Sequence, residues 1–331
     1  MLSVALIGAG RIGQIHARNI AFHPDSQLTF VADINADAAK ALAEKYNAQV
    51  AEVDAVLANP QVDVVVIASA TNTHADLTEI ACRNGKAVFC EKPIDLSIER
   101  VRQCVSVVNE HKGTMMVGFN RRFDPNFAHL KRCLEAGEIG ELELLTIHSR
   151  DPGAPPAEYL KVSGGMFRDM TIHDFDMALF LLGEEPVSVF AHAASLVDPA
   201  IKAVGDIDTA VVTLQCASGK MAVITNSRRA AYGYDQRVEA HGSKGMLNVN
   251  NILESSLVKS TAEGVVSQKP QHFFLERYAE SYVAEWAHFM DALSKQEAPK
   301  PTAEDGQRAL VLAEAALKSL QTGQPVAPAW A

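Results

Sequence analysis

Short apolar runs alternate with helix-spaced apolar positions through the first third of the chain. Leu2 to Ile7 reads as a strand, and Ile12, Ile15, Ala17, Ile20 and Ala21 then recur at helical intervals. "LTFVADI" reads as a second strand ending in Asp33, "AKALAEKY" as a helix, and "VDVVVIAS" as a strand buried on both faces. "HADLTEIACRNG" is a helix ending at Gly85, "KAVFCEKP" a strand, "SIERVRQCVSVVNEH" a helix and "GTMMVGF" a strand. Strands separated by helices predict an α/β fold with a doubly wound parallel sheet. After about Arg121 the pattern changes. "ELLTIHS", "VSVFAHAAS", "DTAVVTLQC", "KMAVITNS", "DQRVEAHG" and "GMLNV" follow one another with short turns such as Ser218-Gly219. That succession predicts a C-terminal α+β domain with an open, mainly antiparallel sheet. Helices return at "ESYVAEWAHFMDALSK" and "EDGQRALVLAEAALKSLQ". The expected domains are residues 1–120 and 121–331, with the C-terminal helix able to fold back onto the first.

The turn after the first strand reads Gly8-Ala9-Gly10-Arg11-Ile12-Gly13, and Asp33 lies 20 residues beyond Gly13. A G-x-G-x-x-G between a strand and a helix, with an acid at that distance, marks a dinucleotide site of Rossmann type. Gly8 permits the tight turn, Gly10 lets backbone approach a pyrophosphate, and Gly13 lets the helix lie close to the strand. Asp33 suits the adenosine ribose hydroxyls and repels a 2′-phosphate. Ile34 and Asn35 offer no cation for that phosphate, so NAD is expected rather than NADP. Two more loops fall at the carboxyl ends of strands, where such sheets bind ligands. One is Ser69 to His74, with Asn72 between; its small polar residues suit the pyrophosphate and nicotinamide ribose. His74 reads either as a cofactor contact or as a satisfied histidine at a helix start. The other loop is Glu91-Lys92-Pro93, where proline constrains how Lys92 leaves its strand.

The chain has 331 residues, is 48% hydrophobic, and carries 40 acids against 30 lysines and arginines, a formal charge of −10. That balance argues against a nucleic-acid partner. No apolar run approaches the ~18 residues of a membrane helix. "MLSVALIGAGRIG" lacks a basic leader and is not expected to be a signal peptide. Cys82, Cys90, Cys104, Cys133 and Cys216 are scattered without C-x-x-C, which fits inert thiols in a reducing cytoplasm. No H-E-x-x-H or comparable cluster suggests a metal.

"GGMFRDMTIHDFDMALFLLG" sets Asp169 and His173 four residues apart, after Gly164 and Gly165 and among Asp174, Asp176 and Glu184. Residues four apart share a helix face if the helix begins by Asp169. If it begins later, a turn could still bring them together. The bland alternative is that Asp169 caps the helix and His173 sits in the core.

"GAGRIG", Asp33, "CEKPIDL", "VGFNRRFDP" and the Asp–His stretch together resemble the Gfo/Idh/MocA (glucose–fructose oxidoreductase/inositol dehydrogenase) family. "SRDPGAPPAEYLKVSGG" and "NSRRAAYGYDQRVEAHGSKG" resemble its bacterial inositol 2-dehydrogenase branch. The resemblance spans nearly the whole chain. It implies an NAD-dependent oxidation of myo-inositol to 2-keto-myo-inositol. Lys92, Asp169 and His173 are then the catalytic set, with His173 as general base. Asn120, Arg121, Asp151 and Tyr234 become substrate contacts. Gly8, Gly10, Arg11, Ile12, Gly13, Asp33, Ser69, Asn72, His74, Glu91 and Lys92 become cofactor contacts. The bland readings are a surface salt-bridge pair for Arg121 and Arg122 and a core aromatic for Tyr234. The family also implies a homodimer or homotetramer. It contains enzymes for other inositols and aldoses, and NAD-sensing regulators, which have no need for Lys92, Asp169 and His173 together.

Overall fold

Six strands lie in the first part of the chain: β1 (Leu2–Ile7), β2 (Ser26–Ala32), β3 (Gln49–Val50), β4 (Val64–Ile67), β5 (Ala87–Glu91) and β6 (Met115–Gly118), the central ones predominantly apolar. β4 and β6 are buried at every residue. A parallel sheet covered by helices on both faces requires this. The structure, a computed structural model, describes residues 1–330. All five neighbouring pairs in the order β3-β2-β1-β4-β5-β6 are parallel. Strand order reverses between β1 and β4, which opens the crevice where doubly wound sheets take ligands.

The described chain forms two compact units. The first comprises Met1–Asn120 with Ser281–Leu310, so a late segment completes the sheet domain. In that segment Trp286 is fully buried and donates its indole N–H to Ser26 Oγ at 3.1 Å. Its ring meets Phe89 and Phe289 at centroid distances of 6.1 and 5.6 Å.

The second unit is Arg121–Glu280 with Val311–Ala331. Its sheet contains β7 (Leu142–Arg150), β8 (Pro186–Ala194), β9 (Thr209–Cys216), β10 (Met221–Ser227), β11 (Asp235–Gly242) and β12 (Gly245–Val249). The order is β12-β11-β7-β10-β9-β8. β7 and β10 are parallel, and the other four pairs are antiparallel, so the sheet is mixed. Along β9 the alternation is clean: Ala210, Val212, Leu214 and Cys216 face the core, and Val211, Thr213 and Gln215 face outward. Helix Ile172–Leu182 lies against β7, is buried on nearly all sides, and ends at Gly183 in the left-handed region. Two of its acids are inside the protein, each paired with an arginine: Asp174 with Arg121 and Asp176 with Arg122. The paired arginines are therefore interior anchors of this helix rather than a surface pair. Arg122 approaches Asp176 with Nε and Nη2 at 2.6 to 3.1 Å, the forked geometry that favours Arg–carboxylate pairs.

Candidate active site

The turn after β1 is held by sterics. Gly8 has φ +107°, and a Cβ there would lie 2.4 Å from the Ala68 carbonyl. A Cβ on Gly13 would lie 1.9 Å from the Gly8 oxygen. Gly10, between them, has nothing within 4 Å of the same position. Two glycines are thus closed by backbone, while the middle one faces open space before helix Arg11–Phe22. The unbonded N–H groups of that helix start suit an anion. Asp33 follows β2 and is tied to the same turn: Oδ2 accepts from Ala9 N–H at 2.6 Å, and Oδ1 from Asn35 N–H at 2.7 Å. Ile34 is fully exposed beside it.

The other first-unit residues also follow strand ends. Ser69 Oγ is 2.7 Å from Thr73 Oγ1, and Asn72 is exposed. His74 is 2% exposed, with Nδ1 2.8 Å from the Pro93 carbonyl and Nε2 3.1 Å from the Ser69 carbonyl. These contacts tie the loop after β4 to the turn after β5. Glu91 is likewise engaged, its Oε1 2.6 Å from His16 Nε2. That pair links the end of β5 to the glycine-turn helix. The Lys92–Pro93 peptide is cis. Asn120, after β6, is 3% exposed, and its buried Nδ2 has no hydrogen-bond partner among the described residues. Such a donor suits an incoming acceptor.

In the second unit, Asp169 and His173 do not share one helix. Met166–Asp169 is a single helical turn, and the long helix starts at Ile172. Gly164 and Gly165, at φ +82° and +84°, turn the chain into that first short helix. Asp169 ends it, and Thr171 holds the N-cap position of the next helix; Asp169 Oδ1 accepts from Tyr159 Oη at 2.7 Å and its Oδ2 from Arg228 Nη2 at 3.2 Å. His173 is half-buried in the first turn of the next helix.

Below this turn lies a buried polar row. Arg121, 4% exposed, donates to Asp174 Oδ1 and, at 3.4 Å, to Ser149 Oγ. Asn226 Nδ2 donates to Asp174 Oδ2 at 2.7 Å, and Thr171 Oγ1 to Asn226 Oδ1 at 2.8 Å. Gln236 Nε2 reaches Ser149 Oγ at 3.0 Å, and Tyr278 Oη reaches Gln236 Oε1 at 3.3 Å. Arg121 is therefore a paired interior cation. Tyr234 is 5% exposed and meets Tyr278 edge-on at 5.9 Å; burial raises its phenol well above the usual range. Asp151 joins the cluster after β7. Burial of its carboxyl pushes its pKa up to about 6, against the opposing pull of Arg228 and Arg121.

Sequence reasoning missed Arg228, Tyr159 and the row Gln236–Ser149–Asn226. A signal existed for the row. The core-facing positions run Leu145, Ile147, Ser149 on β7 and Ala222, Ile224, Asn226 on β10. Polar residues at core positions of adjacent strands mark a site, and Ser149 is in register with both Asn226 and Gln236.

Residues 2–119 match the model of the oxidoreductase family with an NAD-binding Rossmann fold, and residues 127–248 the GFO/IDH/MocA C-terminal domain. The chain belongs to the Gfo/Idh/MocA oxidoreductase family. It is 53% identical to the inositol 2-dehydrogenase of Rhizobium meliloti, over 95% of this chain and 96% of that one. The crystal structure of a myo-inositol dehydrogenase from Corynebacterium glutamicum matches with TM-score 0.95 at 45% identity, over 99% and 98% of the two chains. A scyllo-inositol dehydrogenase from Lactobacillus casei, solved with NAD(H) and scyllo-inositol, matches with TM-score 0.91 at 28% identity, over 99% of each chain. Among the described residues, no helix is long and apolar enough to cross a membrane, and no cluster of His, Cys, Asp or Glu is arranged to hold a metal.

A half-buried carboxyl with a raised pKa has a cost that varies with pH. Asp151 binds its proton more tightly folded, at about 6, than at its ordinary 3.8. Its ionisation therefore weakens the fold as pH rises from about 4 to 6, and the loss is complete above that range. Asp151→Asn removes the titration. Urea unfolding across pH should show the variant gaining stability relative to wild type between pH 4 and 6. A difference independent of pH would contradict this.

Proposed function

We propose that this chain oxidises the C2 hydroxyl of myo-inositol to 2-keto-myo-inositol with NAD. The observation that carries this is 53% identity, over nearly the full length, to an enzyme named inositol 2-dehydrogenase. The scyllo-inositol enzyme solved with its substrate is more distant, at 28%.

The residues present fit the cofactor. Gly8, Gly10 and Gly13 with the helix start at Arg11 and Ile12 would hold the pyrophosphate, and Asp33 the adenosine ribose. Ser69, Asn72 and the unpartnered amide of Asn120 would meet the nicotinamide half, with His74 and Glu91 fixing their loops. Bound NAD supplies the acceptor for the hydride leaving C2. The chain's own residues handle the proton. His173 takes it from the hydroxyl, a role suited to a neutral imidazole. Asp169 stabilises the resulting imidazolium. Lys92 donates to the same oxygen and offsets charge developing there. Carbon loses a hydride, oxygen loses a proton, and the ketone forms.

Asp151 and Tyr234 would hydrogen-bond ring hydroxyls, while Arg121 supports them through Asp174 and Ser149. The acids of this lining disfavour a carboxylate or phosphate substrate. The outward face of the second sheet exposes Val211, Met221 and Met246 at 44, 48 and 51%. A second copy covering that face makes the active form a homo-oligomer. The five free, buried thiols suit a reducing cytoplasm.

NADH formation with myo-, scyllo- and D-chiro-inositol, glucose and xylose tests the substrate. A kcat/KM highest for myo-inositol is expected, and activity confined to an aldose would contradict it. Lys92→Ala should lose about 100-fold or more in kcat; unchanged turnover would remove Lys92 from the mechanism. Asp33→Ala should narrow the preference for NAD over NADP, and an unchanged ratio would remove that role.

A further inference from the structure

Tyr159 has no part in the chemistry above, yet its hydroxyl reaches a carboxylate assigned to it. The residue lies on the segment from Asp151 to Ser163, which contains Pro152, Pro155 and Pro156, and its side chain is 46% exposed. Its Oη nonetheless turns inward and donates to Asp169 Oδ1 at 2.7 Å, a length expected for a hydroxyl on a charged oxygen. The segment is anchored just beyond it, since Leu160 and Ser163 are buried. Ser163 Oγ donates to the Leu160 carbonyl at 3.3 Å and accepts from Gly165 N–H at 3.3 Å. Tyr159 is therefore delivered to Asp169 by a segment tied to the same turn.

The backbone of that turn is held by other groups. Asp206 Oδ1 accepts from Met166 N–H at 3.0 Å, at the first residue of the single helical turn. A Cβ on Gly165 would lie 3.0 Å from the same oxygen, so the glycine leaves room for this carboxylate. Arg168 Nε donates to Glu314 Oε1 at 2.7 Å. What these ties leave open is rotation of the Asp169 carboxylate about its Cβ–Cγ bond, a torsion with broad minima. A carboxylate held at one oxygen can pivot there. Arg228 holds Oδ2 at 3.2 Å, and Tyr159 supplies the contact on Oδ1. Ties on separate oxygens fix the plane.

We propose that Tyr159 is a positioning residue for the oxidation: it sets the plane of the Asp169 carboxylate. This rests on the assignment of Asp169 to the catalytic set.

The test is steady-state kcat, with KM for NAD and for myo-inositol, in wild type, Tyr159→Phe, Asp169→Ala and the double variant. Phenylalanine keeps the ring and removes only the hydroxyl, and urea unfolding of each variant reports folding. Asp169→Asn replaces the alanine variant if that one does not fold. Tyr159→Phe should lower kcat about tenfold with both KM values unchanged. In the Asp169→Ala background the same change should alter kcat by less than about twofold, because there is no carboxylate left to orient. An equal tenfold loss in both backgrounds would overturn the proposal, since Tyr159 would then act independently of Asp169. So would an unchanged kcat, or a raised KM for myo-inositol with kcat kept, which would make Tyr159 a substrate contact. Failure of the underlying reading looks different: Asp169→Ala itself would turn over like wild type.

Discussion

The ion pair between Arg121 and Asp174 governs the second unit. Both side chains are essentially out of water, at 5 and 0% exposure. Desolvating two charges costs several kcal/mol per ion, and attraction offsets this only when the remaining hydrogen-bonding positions are filled. Here Asn226 fills the second oxygen of Asp174, and Ser149 takes a further guanidinium N–H. Gln236 and Thr171 complete the row. Asp174 directly follows His173 in the chain, so anchoring one fixes the helical turn that carries the other. Asp169 is tied separately, by Tyr159 and Arg228. The two residues at the centre of the proposed chemistry thus stand on two sets of ties.

The first unit reaches the same end by steric means. Gly8 and Gly13 are closed against backbone, which leaves Gly10 as the open point of the turn. His74 bridges the loops after β4 and β5, and the His16–Glu91 contact joins β5 to the first helix. The loops after β4 and β5 are therefore braced by their neighbours. This is the rigid framework that a bound cofactor needs if little ordering is to be left for the binding step. Within the Gfo/Idh/MocA family, this chain uses its histidines in two distinct ways, as backbone braces in the first unit and, in the proposed mechanism, as a base in the second.

Most strands were legible because their apolar patterns differ by environment: continuous runs in the parallel sheet, strict alternation in the open one. "DQRVEAHG" and "GMLNV" coincide with β11 and β12 residue for residue. The parallel pairing of β7 with β10 was not legible, since alternation reports which face is buried and not which strand lies alongside. The two-residue β3 and the short helix Val53–Ala58 carry too few apolar positions to show a period. The hairpin Val258–Thr261 with Gly264–Ser267 is exposed throughout and has no buried face to read. Helix Pro125–Glu135 did carry a start signal: Asp124 caps Asn126 and Phe127, and proline occupies the first turn. At the site, the glycine turn and Asp33 were readable from spacing. The partners of Asp174, and Arg228 on Asp169, were not, because they lie 52 to 59 residues away along the chain.

The central claim concerns which side chains meet the reacting hydroxyl. NADH and myo-inositol are both reduced and cannot react with each other, so they can be bound together in a crystal. A crystal structure of that complex would test the account most directly. It predicts the C2 hydroxyl within hydrogen-bond distance of both His173 and Lys92, with Asp169 still held by Arg228. A hydroxyl that meets neither His173 nor Lys92 would contradict it.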